Sequence, residues 1–459
     1  MTLPANPSAQ GAIPTGLRPR GNVREVFGLA APVVLTHVSI TITQIVDSAM
    51  AGRLGPTELA AVGFGGIWMW TAMCFFAGTV TAVQTFVSQH HGAGEPERCG
   101  AWAWQGVLGV TPLTLAGAAV LYLGAGPLMR ALGPSGELAP LATGYIEMRA
   151  FGNVGLCGAM ALSSFFRGVG DTRTPLWTMV LANGVNAVLD YGLIFGRLGL
   201  PQWGVEGAGV ATAVAEWVYF GATYVCFRRR RVDCEFRTGR PSLVGKDLRR
   251  LLRTGMPIGG QWCLEMISFA VFSTLVARMG DASMAASQAF IMLLALTFMQ
   301  AHGLSIAVAT LVGRYIGARD PRSAERSFRS GVALGLALAA AIALLYVVFP
   351  EWLIAVFSDD PEVLRLARPL LLVGAFFQVF DAVAIVADGA LRGAGDTRWP
   401  FVLRFVLSWG LFVPLAWLIG FVWGFGLTGA WFGGMIYVAV LAAFLVGRFH
   451  SGAWHHVRI

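Results

Sequence analysis

Long apolar stretches alternate with short polar segments along nearly the whole chain. Each stretch matches the roughly 20 mainly apolar residues that a helix needs to cross the hydrocarbon core of a membrane. The pattern therefore predicts an all-α polytopic membrane protein with twelve transmembrane helices. Their expected positions are 26–51, 60–87, 101–127, 140–166, 175–196, 207–227, 254–277, 285–311, 331–349, 370–391, 399–422 and 426–447.

The composition supports this reading. Of the 459 residues, 56% are hydrophobic and only 13% are charged, whereas about 25% are charged in an average soluble domain. An ordinary soluble enzyme is therefore excluded. The six cysteines show no CxxC spacing, which indicates neither a disulfide framework nor a metal site. We expect no cofactor.

Basic residues are distributed unequally between the two sides of the predicted bundle. Twenty-five of the 33 Lys and Arg residues lie on the side that carries both termini, and six lie on the other side. The positive-inside rule therefore predicts that both termini are cytoplasmic. The richest cluster runs from Arg228 to Arg250, where we expect contact with anionic lipid headgroups. Nucleic-acid binding is not expected, because no soluble domain accompanies these charges.

Two nearly identical nonapeptides, RGVGDTRTP from Arg167 and RGAGDTRWP from Arg392, lie 225 positions apart. Three further pairs of matching segments have the same offset of 225. RLGPTELAA at Arg53 matches RMGDASMAA at Arg278, GAGEP at Gly92 matches GARDP at Gly317, and Pro32 matches Pro257. The chain is therefore expected to be a duplication of a six-helix unit. Because six is even, both halves enter the membrane with the same orientation, as in the parallel repeats of secondary transporters.

This repeat predicts two six-helix lobes related by a pseudo-two-fold axis along the membrane normal. The first 24 residues contain no apolar core of a cleavable signal peptide, so we expect them to form a tail. The predicted divisions are an N-terminal tail (1–24), an N-lobe (25–227), a basic linker (228–250), a C-lobe (251–447) and a C-terminal tail (448–459).

The chain resembles the multidrug and toxic compound extrusion (MATE) family over essentially its whole length. The resemblance rests on both repeated loops, VDSAMAGRLGPTELAAVG from Val46, GRYIGARDP from Gly313 and WGVEGAGVAT from Trp203. It implies a V-shaped, two-lobed antiporter of the cell inner (plasma) membrane. Such a protein expels amphipathic, often cationic small molecules against an inward flow of sodium ions or protons. We expect a monomer in contact with membrane lipid.

Carboxylates within the spans are the first candidates for function, because ionisable residues at membrane depth are costly and usually face a cavity or a partner. Seven carboxylates lie there: Asp47, Glu147, Asp190, Glu216, Glu265, Asp381 and Asp388. Asp47, Asp190, Glu265 and Asp381 each have an apolar residue at the repeat-related position, so the duplicated fold does not require them.

In the first half, Asn186 and Asp190 are four residues apart, which places both on one face of a helix. The resemblance implies a cation or proton site formed here by Asp47, Asn186, Asp190 and Thr212. Oxygen ligands suit sodium, and two close carboxylates suit a shared proton because both cannot ionise cheaply. The alternative is a hydrogen-bonded polar contact between helices one and five.

In the second half, Glu265 and Asp381 match the acidic pair that one branch of the family uses for cation coupling or for cationic substrate. Phe377 stands where that branch often has a tyrosine. Asp388 lies two helical turns beyond Asp381 and would extend a polar path. Aromatic and methionine side chains can line a drug cavity through cation–π contact, and the candidates are Trp262, Phe290, Phe298 and Met299.

Other charges are expected to be structural. Glu147 and Arg149, two residues apart, are expected to neutralise each other. In the repeated loops we expect Asp171 to pair with Arg173, and the corresponding Asp396 to pair with Arg398, within or across the loops. Repetition favours this reading, because both copies belong to the duplicated scaffold.

Other functions remain as alternatives. A flippase or exporter of a lipid-linked or polar metabolite from the wider superfamily would be expected to have more spans and a cationic cavity. A polytopic membrane enzyme would need a nucleophile, a metal cluster or paired acids at the membrane surface, and the sequence offers no such set. A channel is disfavoured by the lack of a filter-like segment. Sodium and proton coupling stay equally open, since buried carboxylates serve both.

Overall fold

A computed structural model describes residues 21–132, 136–355 and 360–456, and within these ranges the chain is almost entirely helical and contains no strand. The helices are α1 (Val23–Gly52), α2 (Pro56–Val80), α3 (Ala82–Gly92), α4 (Pro96–Leu132), α5 (Leu138–Arg149), α6 (Gly152–Val169), α7 (Arg173–Phe195), α8 (Gly204–Phe227), α9 (Arg230–Phe236), α10 (Gly245–Ala277), α11 (Asp281–Gly317), α12 (Pro321–Val348), α13 (Pro350–Ala355), α14 (Pro361–Ala394), α15 (Arg398–Leu407), α16 (Val413–Trp417) and α17 (Gly426–His450). Two π-helical turns, Ser408–Phe412 and Leu418–Val422, join α15 to α16 and extend α16, and a short 3₁₀ helix, Ala453–His456, follows α17.

The helices correspond to the twelve predicted spans. Eleven helical segments of the described chain are long and apolar enough to cross a membrane. The remaining span, predicted at 140–166, consists of α5 and α6, which are separated at Ala150 and Phe151. Most helices extend past the predicted apolar core at one end or both, and α11 reaches 37 residues. The predicted all-α fold with twelve spans is confirmed.

Buried apolar residues form separate clusters in the two halves of the chain. The first helix of each half starts in the core of the other half. Val26 of α1 packs in a cluster of the second half, and Leu251 of α10 packs in a cluster of the first half. These two residues are 225 positions apart, so the exchange follows the internal repeat.

The loops 93–95, 170–172, 228–244, 318–320 and 395–397 lie at one end of the bundle, which we call the basic face. The two halves meet at this face through α3 and α11. A Cβ atom on Gly92 would collide with the carbonyl group of Arg314, and one on Gly317 would collide with the carbonyl group of Gln89. Both contacts are related by the repeat offset of 225. Glycine at both positions therefore lets the two helix backbones touch.

Hydrogen bonds across this contact are repeated in the same way. Thr85 donates to the carbonyl of Arg392 over 2.9 Å, and its repeat counterpart Thr310 donates to the carbonyl of Arg167 over 3.0 Å. One helical turn further, the repeat-related donors Gln89 and Arg314 also bond to the opposite half. Gln89 donates to the carbonyl of Gly393 over 2.9 Å and Arg314 donates to that of Val169 over 2.8 Å, with the two acceptors one position out of register. The acceptors belong to the helix ends that open the two repeated nonapeptides. These nonapeptides therefore provide the acceptors by which the halves bind each other.

The repeated aspartates of these loops have different partners. Asp171 accepts a hydrogen bond from the backbone N–H of Arg173 over 3.1 Å, which caps the start of α7. Asp396 forms an ion pair with Arg448 of α17 at 2.9 Å, rather than with the expected Arg398. Among the described residues, Asp171 contacts the backbone of Arg173 and forms no ion pair with its guanidinium group, so the expected side-chain pairing was wrong in both loops.

We predict that Gly92→Ala destabilises the protein by about 1–3 kcal/mol, because the added methyl group overpacks a contact between two helix backbones. Gly63→Ala is the matched control, since Gly63 also lies in a helix and has open space at its Cβ position. Thermal unfolding of the purified variants in detergent measures the difference. Equal melting temperatures for both variants would contradict the proposed contact.

Candidate functional site

The predicted site of the first half is assembled from α1 and α7. Asp47 lies in the last two turns of α1, and Asn186 and Asp190 lie one turn apart on α7. The carboxyl group of Asp190 is next to the side chains of both Asp47 and Asn186. The structure therefore brings together three of the four predicted residues. The two helices are also joined by Asn183, which donates to the Ser39 hydroxyl over 2.8 Å.

These polar side chains lie inside the protein, and their carboxylate oxygens have too few hydrogen-bond donors around them. Asp190 is 0% exposed and Asn186 is 2% exposed, and Asp47 is half-buried. Within the described residues, neither carboxylate oxygen of Asp190 nor the Oδ1 atom of Asp47 receives a hydrogen bond in good geometry. A buried carboxylate without a donor is costly. A shared proton or a bound cation would supply the missing interaction.

Thr212, the fourth predicted residue, lies on the neighbouring helix α8 and is half-buried. Its hydroxyl group donates to the carbonyl of Ala208 over 2.9 Å. The oxygen lone pairs of Thr212 can therefore accept a hydrogen bond or coordinate a cation. The described residues contain no cluster of three or more His, Cys, Asp or Glu side chains that could hold a metal ion. A cation at Asp47 and Asp190 would thus depend on amide and hydroxyl oxygens to complete its coordination.

Arg149 forms a buried ion pair that the sequence did not predict. Its guanidinium group contacts Glu216 of α8 at 3.0 Å, and it also donates to the Tyr145 hydroxyl over 3.0 Å. The expected neutralisation of Arg149 by Glu147 was therefore wrong. Residues two apart on a helix point in different directions, which leaves Arg149 free to reach across to α8.

This ion pair lies close to the predicted site. Arg149 is near enough to Asp47 and Asp190 to attract both carboxylates electrostatically. The local cluster therefore contains three acids, including Glu216, and one base. When all four groups are ionised, the cluster carries a net charge of two negative units in a buried environment.

In the second half, Arg404 of α15 links the predicted acids. Arg404 approaches Glu265 of α10 to 3.9 Å, and the side chains are 14% and 46% exposed, respectively. Asp381 of α14 interacts electrostatically with both of them. Glu265 therefore has a long and partly solvated ion pair.

Asp388 lies in an ion pair near the contact between the halves. Its carboxylate is 3.5 Å from Arg392 one helical turn away, and Arg392 in turn donates to the Ser305 hydroxyl of α11 over 2.8 Å. Arg392 also supplies the carbonyl that accepts from Thr85. These contacts connect Asp388 to the packing of α14 against its neighbours.

The aromatic candidates lie in different surroundings. Trp262 of α10 approaches Trp70 of α2, with ring centroids 6.0 Å apart, and so lies between the halves. Phe298 stacks on His302 with a centroid distance of 5.8 Å, and Met299 is half-buried beside it in α11. Phe290 is 1% exposed and packs edge-on against Trp431, which places it in the core of the second half.

Two histidines meet between the halves, and sequence reasoning did not identify this pair. The rings of His37 in α1 and His302 in α11 are 5.2 Å apart in an edge-to-face arrangement. Trp262 also contacts His302, with centroids 6.5 Å apart. A signal did exist for the two missed arginines, since Arg149 and Arg404 are the two basic residues within predicted spans. The same kind of signal existed for the histidine pair, because His37 and His302 are the two histidines within predicted spans.

Comparison with protein-family models gives a match to the family described as MatE. The match covers residues 32–192 and 257–418. The two matched segments begin 225 positions apart and each covers one half of the chain. The duplication deduced from short motifs therefore extends over most of each half.

Curated relatives match along almost their full length. The chain is 33% identical to the probable multidrug resistance protein NorM of Rhodopseudomonas palustris, with 98% of this chain and 96% of the relative covered. It is 30% identical to the multidrug resistance protein PmpM of Pseudomonas aeruginosa, with 100% and 96% covered. A NorM protein of Thermotoga maritima is 28% identical, with 94% and 93% covered.

Solved structures share the fold. The Vibrio cholerae MATE transporter VcmN superposes with a TM-score of 0.84 at 20% identity, with 94% of this chain and 96% of that chain covered. A transporter of the MOP superfamily from Pyrococcus furiosus gives a TM-score of 0.82 at 20% identity, with 95% and 97% covered. That protein is described as having a binding pocket of reverse polarity, which suggests a different function.

We predict that Glu216→Gln destabilises the protein by about 3–5 kcal/mol, because it leaves the buried Arg149 guanidinium without its charged partner. Glu147→Gln is the control, since Glu147 is an acid of the same helix as Arg149 and is not its partner. Removing both charges with Arg149→Gln and Glu216→Gln together should restore part of the loss. Thermal unfolding of the four proteins measures these effects, and equal losses for Glu147→Gln and Glu216→Gln would contradict the pairing.

Proposed function

We propose, from the premise that this chain belongs to the MatE family of membrane transporters, that it is an antiporter coupled to sodium ions or protons. Its cargo would be amphipathic, cationic small molecules, which it would export from the cell. The observation that carries the proposal is the group of Asp47, Asn186 and Asp190, in which both carboxylate oxygens of Asp190 and the Oδ1 atom of Asp47 lack donors. The proposed class of substrate is supported by two curated relatives, which are named as multidrug resistance proteins.

The charge balance of this group explains how an ion would drive the cycle. Two negative units remain after Arg149 offsets one of the three acids, and a buried net charge is costly at membrane depth. Binding one or two protons or sodium ions removes part of this charge. The lobes could then rock with a site that is close to neutral. We propose that the coupling ion acts in this way and enters from the face opposite the basic face.

Alternating access would occur by rocking of residues 25–227 against residues 251–447. In the present arrangement, the hydrogen bonds of Thr85 and Thr310 hold the halves together at the basic face. Their breakage would open this face. Each threonine would lose one hydrogen bond to a carbonyl group on opening, and a bond of this kind contributes about 0.5–1.5 kcal/mol. Closure would therefore be reversible.

The second half offers a contact for a cationic substrate. Glu265 is nearly half exposed, its partner Arg404 is 3.9 Å away, and Asp381 is in electrostatic range of both. Trp262 lies on the same helix and presents an aromatic ring between the halves. A cation could compete with Arg404 for Glu265 while it stacks on this ring. We assign substrate recognition to this group and ion coupling to Asp47 and Asp190.

We place the basic face in the cytoplasm, on the basis of its excess of Lys and Arg. The linker 228–250 would then contact anionic lipid headgroups of the inner membrane. Both termini would be cytoplasmic, and the protein would act as a monomer with a complete site in each chain.

A second candidate function is the export of a polar or lipid-linked metabolite. The two arginines inside the bundle favour it, because Arg149 and Arg404 could recognise an anionic group. The reverse polarity described for the Pyrococcus furiosus transporter shows that this fold accommodates other pocket chemistry. Competition between cationic and anionic compounds in one transport assay separates the two functions.

We predict that Asp190→Asn and Asp47→Asn each lower ion-driven transport about tenfold or more, within the usual range of coupling between two binding sites. Each substitution removes one of the charges that the ion must neutralise. Uptake of a fluorescent cationic drug into proteoliposomes, driven separately by a sodium gradient and by a pH gradient, measures the effect and identifies the ion. Glu147→Gln is the control, and unchanged transport by Asp190→Asn would contradict the coupling role.

We also predict that Glu265→Gln weakens binding of a cationic drug about tenfold, which corresponds to ~1.4 kcal/mol. Binding of a neutral compound of similar size should change little, because its affinity depends on the aromatic surface. Fluorescence titration of both ligands with the purified variant measures the two affinities. A parallel loss for the neutral compound would show that Glu265 acts through packing and does not recognise charge.

A further inference from the structure

Two cysteines from opposite halves of the chain face each other inside the protein. The sulfur atoms of Cys74 in α2 and Cys263 in α10 are 3.3 Å apart, although 189 residues separate them in the sequence. Both are free thiols. Their contact joins the first half to the second half, and Cys263 lies two residues from Glu265 on α10.

The backbones around this pair are held close by glycines. Gly78 lies one turn from Cys74, and Gly259 lies one turn from Cys263. A Cβ atom on Gly78 would lie 2.7 Å from the Cα atom of Gly259, so the helices touch at this level. A disulfide has a sulfur–sulfur length of about 2.05 Å and tolerates only a narrow range of backbone separations. The sulfur atoms need to approach by about 1.3 Å, which side-chain rotation can supply.

The two thiols differ in access. Cys74 is fully buried, whereas Cys263 is half-buried. Cys263 is also adjacent in sequence to Trp262, which lies between the halves opposite Trp70. A small oxidant that enters between the halves would therefore meet Cys263 first. Cys74 is then already in place to react with the product.

We propose that Cys74 and Cys263 form a redox modification site, at which oxidation links the two halves and arrests transport. The oxidant class is a hydroperoxide. The sulfur of Cys263 attacks a peroxide oxygen, the O–O bond breaks, an alcohol leaves and a sulfenic acid forms. The sulfur of Cys74 then attacks the oxidised sulfur, the S–O bond breaks and water leaves. Two thiols and one hydroperoxide thus give one disulfide, one alcohol and one water. A dithiol then reduces the disulfide back to the two thiols and is itself oxidised to a disulfide.

The arrest follows from the position of the bond and depends on the proposed alternating-access function. Rocking of the halves requires α2 and α10 to change their separation or angle. A disulfide between them permits little change in either, because its geometry is specific. Oxidation would therefore hold the protein in the arrangement closed at the basic face.

The test uses the full chain with two changes that make the bond visible. Cys234→Ser removes the exposed thiol that could join two molecules, and a protease site inserted between Leu243 and Val244 lies in the exposed linker. The protein is treated with tert-butyl hydroperoxide, blocked with N-ethylmaleimide, cleaved and run on a non-reducing gel. We expect the two halves to migrate together and to separate after addition of dithiothreitol.

Control variants locate the bond. Cys74→Ala and Cys263→Ala should each abolish the joined band, whereas Cys157→Ala, which removes another buried thiol, should leave it unchanged. Halves that separate after oxidation with both cysteines present would overturn the modification site.

The same samples in proteoliposomes test the arrest. Oxidation should reduce transport of the cationic drug to background, dithiothreitol should restore it, and Cys74→Ala should be insensitive to the oxidant. Transport that continues in the cross-linked protein would overturn the arrest. Absence of transport before oxidation would instead count against the proposed function, and the gel result does not depend on it.

Discussion

The backbones of α3 and α11 touch where the two halves meet, and the contact exists because Gly92 and Gly317 have no side chain. This approach brings Thr85 and Thr310 within hydrogen-bonding distance of carbonyls in the opposite half. A bulkier residue at either glycine would push the helices apart and lengthen these bonds together. The carbonyls that accept these bonds belong to the repeated loops, so the position of both loops depends on this approach of the halves.

That contact is repeated in both halves and belongs to the scaffold. Charged residues that are not repeated are therefore the better indicators of function. Arg149 and Arg404 have Gly374 and Met179 at the repeat-related positions, so neither arginine belongs to the duplicated scaffold. Each lies among acids that were also not duplicated, but the surroundings differ. Of the acids near Arg149, Asp190 and Glu216 are buried and Asp47 is half-buried, whereas Glu265 near Arg404 is 46% exposed. A buried group with excess negative charge suits a small ion, and a partly open acid beside an aromatic ring suits a larger cation.

Sequence reasoning succeeded where the relevant information is local or periodic. The number of spans follows from runs of apolar residues, and the duplication follows from a constant offset between short motifs. Reasoning failed for partners that lie on other helices. Glu147 is only two residues from Arg149, yet the partner of Arg149 is Glu216, 67 positions away. A predicted span that is apolar on all sides gives no sign of how its helix is rotated, so it does not show which residues face each other.

By itself the sequence determined the helical class, the twelve spans, the repeat, the basic face and the acids that depart from the repeat. These properties are set by residue type and spacing, which are read directly from the chain. Only the tertiary structure decided that Arg149 binds Glu216, that His37 meets His302 and that Cys74 lies 3.3 Å from Cys263. Such contacts require the rotation and the crossing point of each helix, which result from packing between residues far apart in the sequence.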